Sequence, residues 1–294
     1  MLLALLSTLS LTPSRIVAIG DLHGDLSASL RILRMAGLVD ASSHRWAGGD
    51  SVLVQLGDVL DRGTEEPEVW SLLQSLRREA PQAGGAVHVL LGNHEILNVC
   101  GDADDFVHPA ARESFGPDRA KAFAPGGAIA RELASCSVCV ILGDTAFVHG
   151  ALPPDATRAS IGELNREARR WLLGERPEGP PRELLPARAS PVWSRAYSSP
   201  NDREPTPVVC NALRKSLGNL GVSRVVVGHT PQRCVNSACG GAVWRCDTGV
   251  SRFVMGGKCE ALEIRGNAVK VLSAPPPTAR GCDSITDDGV PIII

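Results

Sequence analysis

Short apolar runs alternate with amphipathic segments along the first third of the chain. The runs at 15–19, 51–56 and 86–91 have the length and the β-branched content of buried strands. The segments 25–36 and 65–78 carry apolar residues at helical spacing, and the second has acids in its first turn and arginines in its last. This alternation of strands and helices predicts βαβ units.

The regular pattern breaks at residue 98. Residues 98–131 are polar and contain three prolines, which predicts an insertion of short helices and loops. Residues 153–207 are rich in Arg, Glu and Pro, and they predict a cap with one helix near 161–173. The expected organisation is therefore an N-terminal extension at 1–14, one domain at 15–272 that carries both insertions, and a loose C-terminal tail at 273–294.

The second half of the chain contains further short strands. The runs at 137–142, 145–148 and 223–227 predict strands, and residues 210–217 predict a helix. Between 241 and 272 short apolar runs alternate with glycines, as in a β-meander. Together with the first third of the chain, these elements predict an α/β protein.

Polar residues follow five of the apolar runs, at the points where the predicted strands end. Asp58 comes after the run 51–56, at the carboxyl end of a strand, where open α/β sheets bind their ligands. Because all five strand ends carry Asp, Asn or His, we expect one metal site assembled from distant parts of the chain. The predicted ligands are two carboxylates, one amide and three imidazoles: Asp21, His23, Asp58, Asn93, His149 and His229.

The size and mixture of this ligand set indicate which metals it suits. Six ligands exceed what a tetrahedral zinc needs, so we expect two cations that share one carboxylate, with Asp58 as the bridge. Oxygen and nitrogen ligands together favour Mn, Fe or Zn over Mg or Ca alone. Two divalent cations ~3.5–4 Å apart clamp an in-line displacement and lower the pKa of a bridging water to near neutrality.

Residues beside the predicted ligands can complete a hydrolase. His94 directly follows Asn93, and Asp61 can accept a hydrogen bond from His94 and hold it charged. His94 would then donate a proton to the departing oxygen as a general acid. Arg62 can grip two phosphate oxygens at once, and Arg195 is a second candidate that comes from the cap. Asn93 belongs to the predicted phosphate-binding set as well as to the ligands.

Taken as a set, these motifs resemble one family, the calcineurin-like metallophosphoesterases. Gly57-Asp58-Val59-Leu60-Asp61-Arg62-Gly63 and Gly92-Asn93-His94-Glu95 look like the phosphoprotein phosphatase branch. Residues 228–232 and 244–251 are more similar to its bacterial-like subgroup, the Shewanella-like protein phosphatases. The resemblance runs in motif order from about residue 15 to 272.

This resemblance implies a four-layer β-sandwich flanked by helices, a two-metal centre, and hydrolysis of phosphomonoesters by a hydroxide that the metals activate. The six ligands, His94, Asp61 and Arg62 carry over by direct motif match, whereas Arg195 lies in a shorter motif. One departure is Ala151, because the family usually has a second glycine after Gly150. We expect its methyl group to narrow the room beside His149 without abolishing metal binding.

Two other functions compete with a protein phosphatase. The first is a small-molecule phosphoesterase, for example one that cleaves dinucleoside polyphosphates, and Glu95 argues against it because those relatives more often carry Asp there. The second is a catalytically silent scaffold, which should have lost ligands, whereas all six are present.

Composition limits the binding partners and the cellular location that we expect for this protein. The net charge of −2 gives no basic stripe for nucleic acid, and no run approaches the ~18 apolar residues of a membrane span. Residues 1–11 are apolar but lack the basic segment and cleavage site of a signal peptide, so a short extension is an equally good interpretation. We expect a soluble protein of the cytoplasm or an organelle that acts on a phosphoprotein or phosphopeptide. The oligomeric state is left open.

Nine cysteines are too thinly spread in a chain of 294 residues to predict a disulfide framework. We interpret Cys136 and Cys139 as core residues. Cys234, Cys239 and Cys246 lie closer together, and we expect ordinary free thiols rather than a redox pair.

Overall fold

Two five-stranded β-sheets form the centre of the protein in the computed structural model, which describes residues 13–198 and 203–274. The strands are β1 (Ile16–Ile19), β2 (Val52–Gln55), β3 (Ala86–Val89), β4 (Cys139–Leu142), β5 (Thr145–Val148), β6 (Arg224–Val227), β7 (Asn236–Ala238), β8 (Val243–Arg245), β9 (Glu260–Arg265) and β10 (Ala268–Ser273). The helices are α1 (Leu26–Met35), α2 (Glu66–Glu79), α3 (Asn93–Cys100), α4 (Arg119–Phe123), α5 (Ala128–Leu133), α6 (Arg158–Leu172) and α7 (Pro207–Leu220).

Each sheet has a parallel centre. The first has the order β10-β9-β1-β2-β3, with β1, β2 and β3 parallel and β9 antiparallel to β1. The second has the order β4-β5-β6-β8-β7, with β5, β6 and β8 parallel. The predicted βαβ units are confirmed, because α1 connects β1 to β2 and α2 connects β2 to β3.

The two sheets pack face to face through alternate residues of their strands. Ile16 and Val54 of the first sheet share one buried cluster with Phe147 and Val226 of the second. Successive side chains of a strand point to opposite faces, so Val17 must be covered from the other side. A strand that is apolar at every position therefore predicts a sheet buried on both faces.

Helices cover both outer faces. Val17 and Leu53 lie in one cluster with Leu33 of α1 and Leu73 of α2. On the other side, residues of β6 cluster with Leu213 of α7. The order helix, sheet, sheet, helix is the four-layer sandwich that the resemblance implied, and the α/β fold class is confirmed.

Both polar segments fold against the helical layer of the first sheet. Phe123 of α4 and Trp171 of α6 are buried in the same cluster as α1 and α2. The two segments also touch each other, because the Gly126 N–H donates to the Leu172 carbonyl oxygen at 2.9 Å. They therefore extend the core of the first sheet, and Ile161 of α6 also packs into the cluster of the second sheet.

Three elements differ from the sequence-based expectation. Helix α3 begins at Asn93, directly after β3, where no helix was predicted, and β7 was missed. The meander expected between 241 and 272 is wrong, because β8 joins the second sheet whereas β9 and β10 form a hairpin in the first. Alternating apolar residues identify strands, but they do not say which of two sheets a strand joins.

The expectation of a free thiol at Cys239 is also wrong. Cys239 is bonded to Cys210, 29 residues earlier, with their Cα atoms 5.3 Å apart. The fold brings the start of α7 beside the turn after β7, which sequence spacing alone does not reveal. Cys234 and Cys246 are free, and Cys136 and Cys139 are buried as predicted.

No helix within the described ranges combines the length and the hydropathy that crossing a bilayer requires. The apolar residues 1–11 and most of the predicted tail lie outside the described residues.

Phe147 provides a test of the contact between the sheets, because its side chain is 0% exposed there. We expect Phe147→Ala to lower the free energy of unfolding by about 3–5 kcal/mol, since the cavity cannot close between two sheets. Urea denaturation measures the change. Val208→Ala on α7, where Val208 is 78% exposed, is the control and should unfold like the unmodified protein. Equal stability of the two variants would contradict the sandwich.

Candidate metal centre

The carboxyl ends of the central strands meet at one edge of the sandwich, and the predicted ligands lie there. Asp21 follows β1, Asp58 follows β2, and His149 comes directly after β5. All six are buried, with at most 6% of the residue exposed: Asp21, His23, Asp58, Asn93, His149 and His229. The structure thus brings together residues that are up to 208 positions apart in the chain.

The carboxylate of Asp58 lies at the centre of this group. Its Oδ2 is 3.3 Å from Nε2 of His149, 3.8 Å from Nε2 of His23 and 3.9 Å from Nε2 of His94. Its Oδ1 accepts a hydrogen bond from the backbone N–H of His94 at 3.0 Å. One oxygen is therefore held by the backbone, while the other faces three imidazoles.

Backbone carbonyl groups fix the orientation of the imidazoles. Nδ1 of His149 lies 2.7 Å from the Leu56 oxygen, and Nδ1 of His23 lies 2.9 Å from the Leu60 oxygen. Because a carbonyl only accepts, both Nδ1 atoms carry the proton, which leaves the Nε2 lone pairs facing Asp58.

His229 has the opposite orientation. Its Nε2 lies 3.1 Å from the Trp193 carbonyl oxygen, so Nδ1 carries the free lone pair. Its backbone N–H donates to Oδ1 of Asp21 at 3.2 Å, which ties the ends of β1 and β6 together.

Several nitrogen and oxygen atoms that carry lone pairs converge at short distances in the site. Oδ1 of Asn93 is 3.1 Å from Nε2 of His149, and the same Nε2 is 3.3 Å from Oδ2 of Asp58. Converging lone pairs repel unless a cation or a proton lies among them. Two groups of donor atoms, His23, Asp58 and His94 and then Asp58, His149 and His229, each lie within 4.8 Å of one another. This set of nitrogen and oxygen donors fits a divalent cation.

Burial of the site shifts the pKa values of its residues in a direction that favours a bound cation. Burial, and then the charges of Asp247 and Asp58, raise the pKa of Asp21 well above its usual value. Burial and the neighbouring His94 lower the pKa of His23 to about 3, which keeps its imidazole neutral. A neutral imidazole is the form that binds metal.

His94 and Asp61 form a closely bonded pair. Nδ1 of His94 lies 2.6 Å from Oδ2 of Asp61, and both residues are buried. Burial alone would lower the pKa of His94, but the charge of Asp58 and the hydrogen bond to Asp61 outweigh it, so the pKa is raised. The structure thus has the contact between His94 and Asp61 that the sequence analysis expected.

The two predicted phosphate clamps flank the group. Arg62 is exposed, with its guanidinium carbon 5.7 Å from the centre of the Phe106 ring, which in turn meets the His94 ring edge-on. Arg195 donates to the His229 carbonyl oxygen and to Oγ1 of Thr230, both at 3.0 Å. Both arginines therefore lie beside residues that line the site.

The backbone of the site adopts unfavourable conformations. A left-handed φ is rare for residues with a side chain, and it occurs here at His23, Asp58, Asp61, Arg62 and His229. Gly92 has no room for a side chain, since a Cβ atom there would lie 2.1 Å from Oδ1 of Asp58. Such strain persists only where the surrounding structure over-determines it.

Glu95 provides much of that support, a structural role that was not among the predicted ones. Its buried carboxylate accepts hydrogen bonds from four backbone N–H groups at 2.7–3.2 Å, those of Asp58, Val59, Leu60 and Gly92. The available signal was its place as the third residue of α3, where a glutamate reaches back to the first N–H groups of a helix.

Fold and site together define a class of protein. The family model for calcineurin-like phosphoesterases matches residues 14–233, and the chain belongs to this family. It is therefore a hydrolase of the metallophosphoesterase class, as the motif resemblance implied.

The chain is also similar to individual proteins of known name. Shewanella-like protein phosphatase 2 of Arabidopsis thaliana is 33% identical over 312 residues, covering 90% of this chain and 78% of that protein. Shewanella-like protein phosphatase 1 of Plasmodium berghei is 32% identical over 250 residues, covering 81% and 68%. The solved structure of the cold-active protein-tyrosine phosphatase of a psychrophilic Shewanella species matches with a TM-score of 0.70 and 25% identity, covering 88% of this chain and 80% of that one.

Glu95→Ala tests the support of the Asp58 turn. We expect the free energy of unfolding to fall by about 2–5 kcal/mol, because four buried N–H groups lose their acceptor. The control is Glu163→Ala on α6, which removes a solvent-exposed ion pair with Arg166 and should change little. Urea denaturation of both variants measures the difference. A Glu95 variant as stable as the control would show that the hydrogen bonds to Glu95 do not stabilise the fold.

Proposed function

We propose that this chain is a protein phosphatase that hydrolyses phosphomonoesters on phosphoprotein or phosphopeptide substrates. The most direct support is the convergence of acceptor atoms on one buried point, where Oδ2 of Asp58 faces three imidazole nitrogens at 3.3–3.9 Å. Such a set favours bound cations, one of its three histidines is paired with Asp61, and two arginines lie beside it. The names of the relatives favour phosphoproteins over other esters.

The proposed ligands divide into two groups that share Asp58. We assign His23 to one group and His149 and His229, with Asn93 beside His149, to the other, while Asp21 accepts a hydrogen bond from the backbone N–H of His229. The mixture of oxygen and nitrogen atoms suits Mn, Fe or Zn. When bound, two such cations supply Lewis-acid polarisation of the phosphoryl group and an activated water as nucleophile.

The chain's own residues would bind and orient the substrate. Arg62 and Arg195 carry guanidinium groups that can bond two phosphate oxygens each, and Asn93 is the third proposed phosphate-binding residue, since its amide can donate a hydrogen bond. Their role is to hold the phosphorus atom in line with the nucleophile, which removes much of the entropic cost of the reaction.

His94 is the proposed general acid. Asp61 holds its Nδ1 at 2.6 Å, so Nε2 is the atom that would give a proton to the departing oxygen. The raised pKa of His94 favours the protonated form that this step requires.

Two substitutions distinguish the proposed proton donor, His94, from the proposed bridging ligand, Asp58. We expect His94→Asn to lower kcat by about 10²–10⁴-fold with little loss of bound metal, because it removes only the acid. Asp58→Asn should instead lower the metal content, since a neutral amide bridges cations poorly. Elemental analysis together with steady-state kinetics distinguishes the two outcomes.

The matched control is Arg170→Gln, which removes an exposed ion pair with Glu167 on α6 and should keep both metal content and rate. An unchanged rate for His94→Asn would disprove its role as acid. Full retention of two metals in Asp58→Asn would remove the shared bridge.

A substrate panel tests the class of ester. Purified protein loaded with Mn²⁺ is assayed on peptides that carry phosphoserine, phosphothreonine or phosphotyrosine, and in parallel on diadenosine tetraphosphate. We expect kcat/KM to be higher for at least one phosphopeptide than for the nucleotide. Efficient cleavage of the nucleotide alone would replace the protein phosphatase by a small-molecule phosphoesterase.

A further inference from the structure

Arg119 is the first residue of α4 and belongs to the polar segment 98–131. Its side chain extends to Asp61, the residue that bonds His94. Its guanidinium donates to both carboxylate oxygens of Glu66 at 2.8 Å and to Oδ1 of Asn98 at 2.8 Å. It also lies 3.3 Å from Oδ1 of Asp61. One cation therefore contacts three polar side chains at once.

Two aromatic rings hold this guanidinium in place. Its central carbon is 5.3 Å from the centre of the Phe115 ring and 4.8 Å from that of the Phe123 ring. Only 13% of the Arg119 side chain is exposed. A guanidinium stacked on aromatic rings loses little further freedom when it bonds its partners, so its donors are already aimed.

The guanidinium of Arg119 supplies positive charge to two buried carboxylates. The side chains of Asp61 and Glu66 are both 0% exposed, and the backbone N–H of Asp61 donates to Glu66 at 2.8 Å. Two carboxylates this deeply buried repel each other and need a counter-charge. Arg119 bonds to both of them.

The contacts of Asp61 connect Arg119 to the catalytic pair. Oδ2 of Asp61 bonds to His94, and Oδ1 accepts from Nδ2 of Asn98 at 2.9 Å and from Arg119. Asn98 also donates to the His94 carbonyl oxygen, while its own Oδ1 is held by Arg119. The rotation of the Asp61 carboxylate is thus set from the side opposite His94.

We infer that Arg119 is a positioning residue for His94. It fixes Asp61 and Asn98 so that the imidazole keeps the direction from which Nε2 reaches the departing oxygen. The inference rests on the proposed function, in which His94 is the acid. The segment 98–131 then contributes to the chemistry as well as to the packing.

A positioning role and a purely structural role predict different dependence on the leaving group. A misplaced acid slows esters whose leaving oxygen needs a proton, and it hardly affects esters with an acidic leaving group. p-Nitrophenyl phosphate and phenyl phosphate have nearly the same shape, but p-nitrophenol is much the stronger acid. A general loss of folded protein would slow both esters equally.

The kinetic test compares Arg119→Met with the unmodified protein on these two esters, at equal metal content. We expect kcat for phenyl phosphate to fall roughly 10–100-fold and kcat for p-nitrophenyl phosphate to fall less than about 3-fold, with KM nearly constant. In a His94→Asn background, Arg119→Met should cost less than about 2-fold on either ester, because the group it positions is absent.

Two further variants control for folding. Arg77→Met removes a half-buried arginine that bonds Ser135, away from Asp61, and should leave both rates unchanged. Arg119→Lys keeps the charge but loses the planar fork whose two terminal nitrogens bond Glu66, Asn98 and Asp61, so we expect a smaller loss with the same preference between esters. Equal losses on the two esters, or full additivity with His94→Asn, would overturn the inference.

A proton NMR measurement tests the positioning role of Arg119 without depending on phosphatase activity. The short bond between His94 and Asp61 should give a low-field imidazole N–H proton resonance in the metal-free protein, assigned by its loss in His94→Asn. We expect this resonance to shift or broaden in Arg119→Met and to stay in place in Arg77→Met. An unchanged resonance in Arg119→Met would refute the positioning role, even if the protein cleaved no phosphate ester.

Discussion

The carboxylate of Asp58 is 2% exposed, and a negative charge buried this deeply is stable only where positive charge surrounds it. Burial alone would raise its pKa, but the imidazoles of His149 and His94 hold the pKa well below its usual value. The charge of Asp58 in turn outweighs burial and raises the pKa of His149. A bound cation would stabilise the charge of Asp58, and because it competes with protons for the same ligand atoms, metal binding would be coupled to proton release.

The rest of the fold supplies the rigidity that this arrangement needs. Asp58 has a left-handed backbone, and the close approach of Gly92 leaves its Oδ1 no freedom. Glu95 fixes the same turn, although burial and the nearby Asp58 charge raise the pKa of its own carboxyl. A turn with these local costs persists because it follows β2, a central strand of a sheet that is buried on both faces, so the strand cannot shift to relieve it.

The sequence predicted those parts of the site that follow directly from strand ends. Asp58 and His149 come after apolar runs, and parallel strands bring their carboxyl ends to one edge, so the convergence of the proposed ligands could be predicted without coordinates. The bonds from the N–H groups of Asp58, Val59 and Leu60 to Glu95 could not be predicted, because the turn that carries them meets Glu95 only in the folded chain. The bond between Cys210 and Cys239 and the assignment of β8 and β9 to different sheets depend on the same kind of long-range contact.

Arg119 and Arg195 suggest where enzymes of this architecture can differ. The ligands lie at strand ends, where a change in the backbone would disturb the core of both sheets. The two arginines come instead from segments 98–131 and 153–207, and they approach Asp61 and His229 from outside the strand ends. Loops on a rigid scaffold tolerate change more readily than strands do. Selection can therefore alter the placement of the proposed acid and of the proposed phosphate-binding arginine through these segments, while the geometry around Asp58 stays constant.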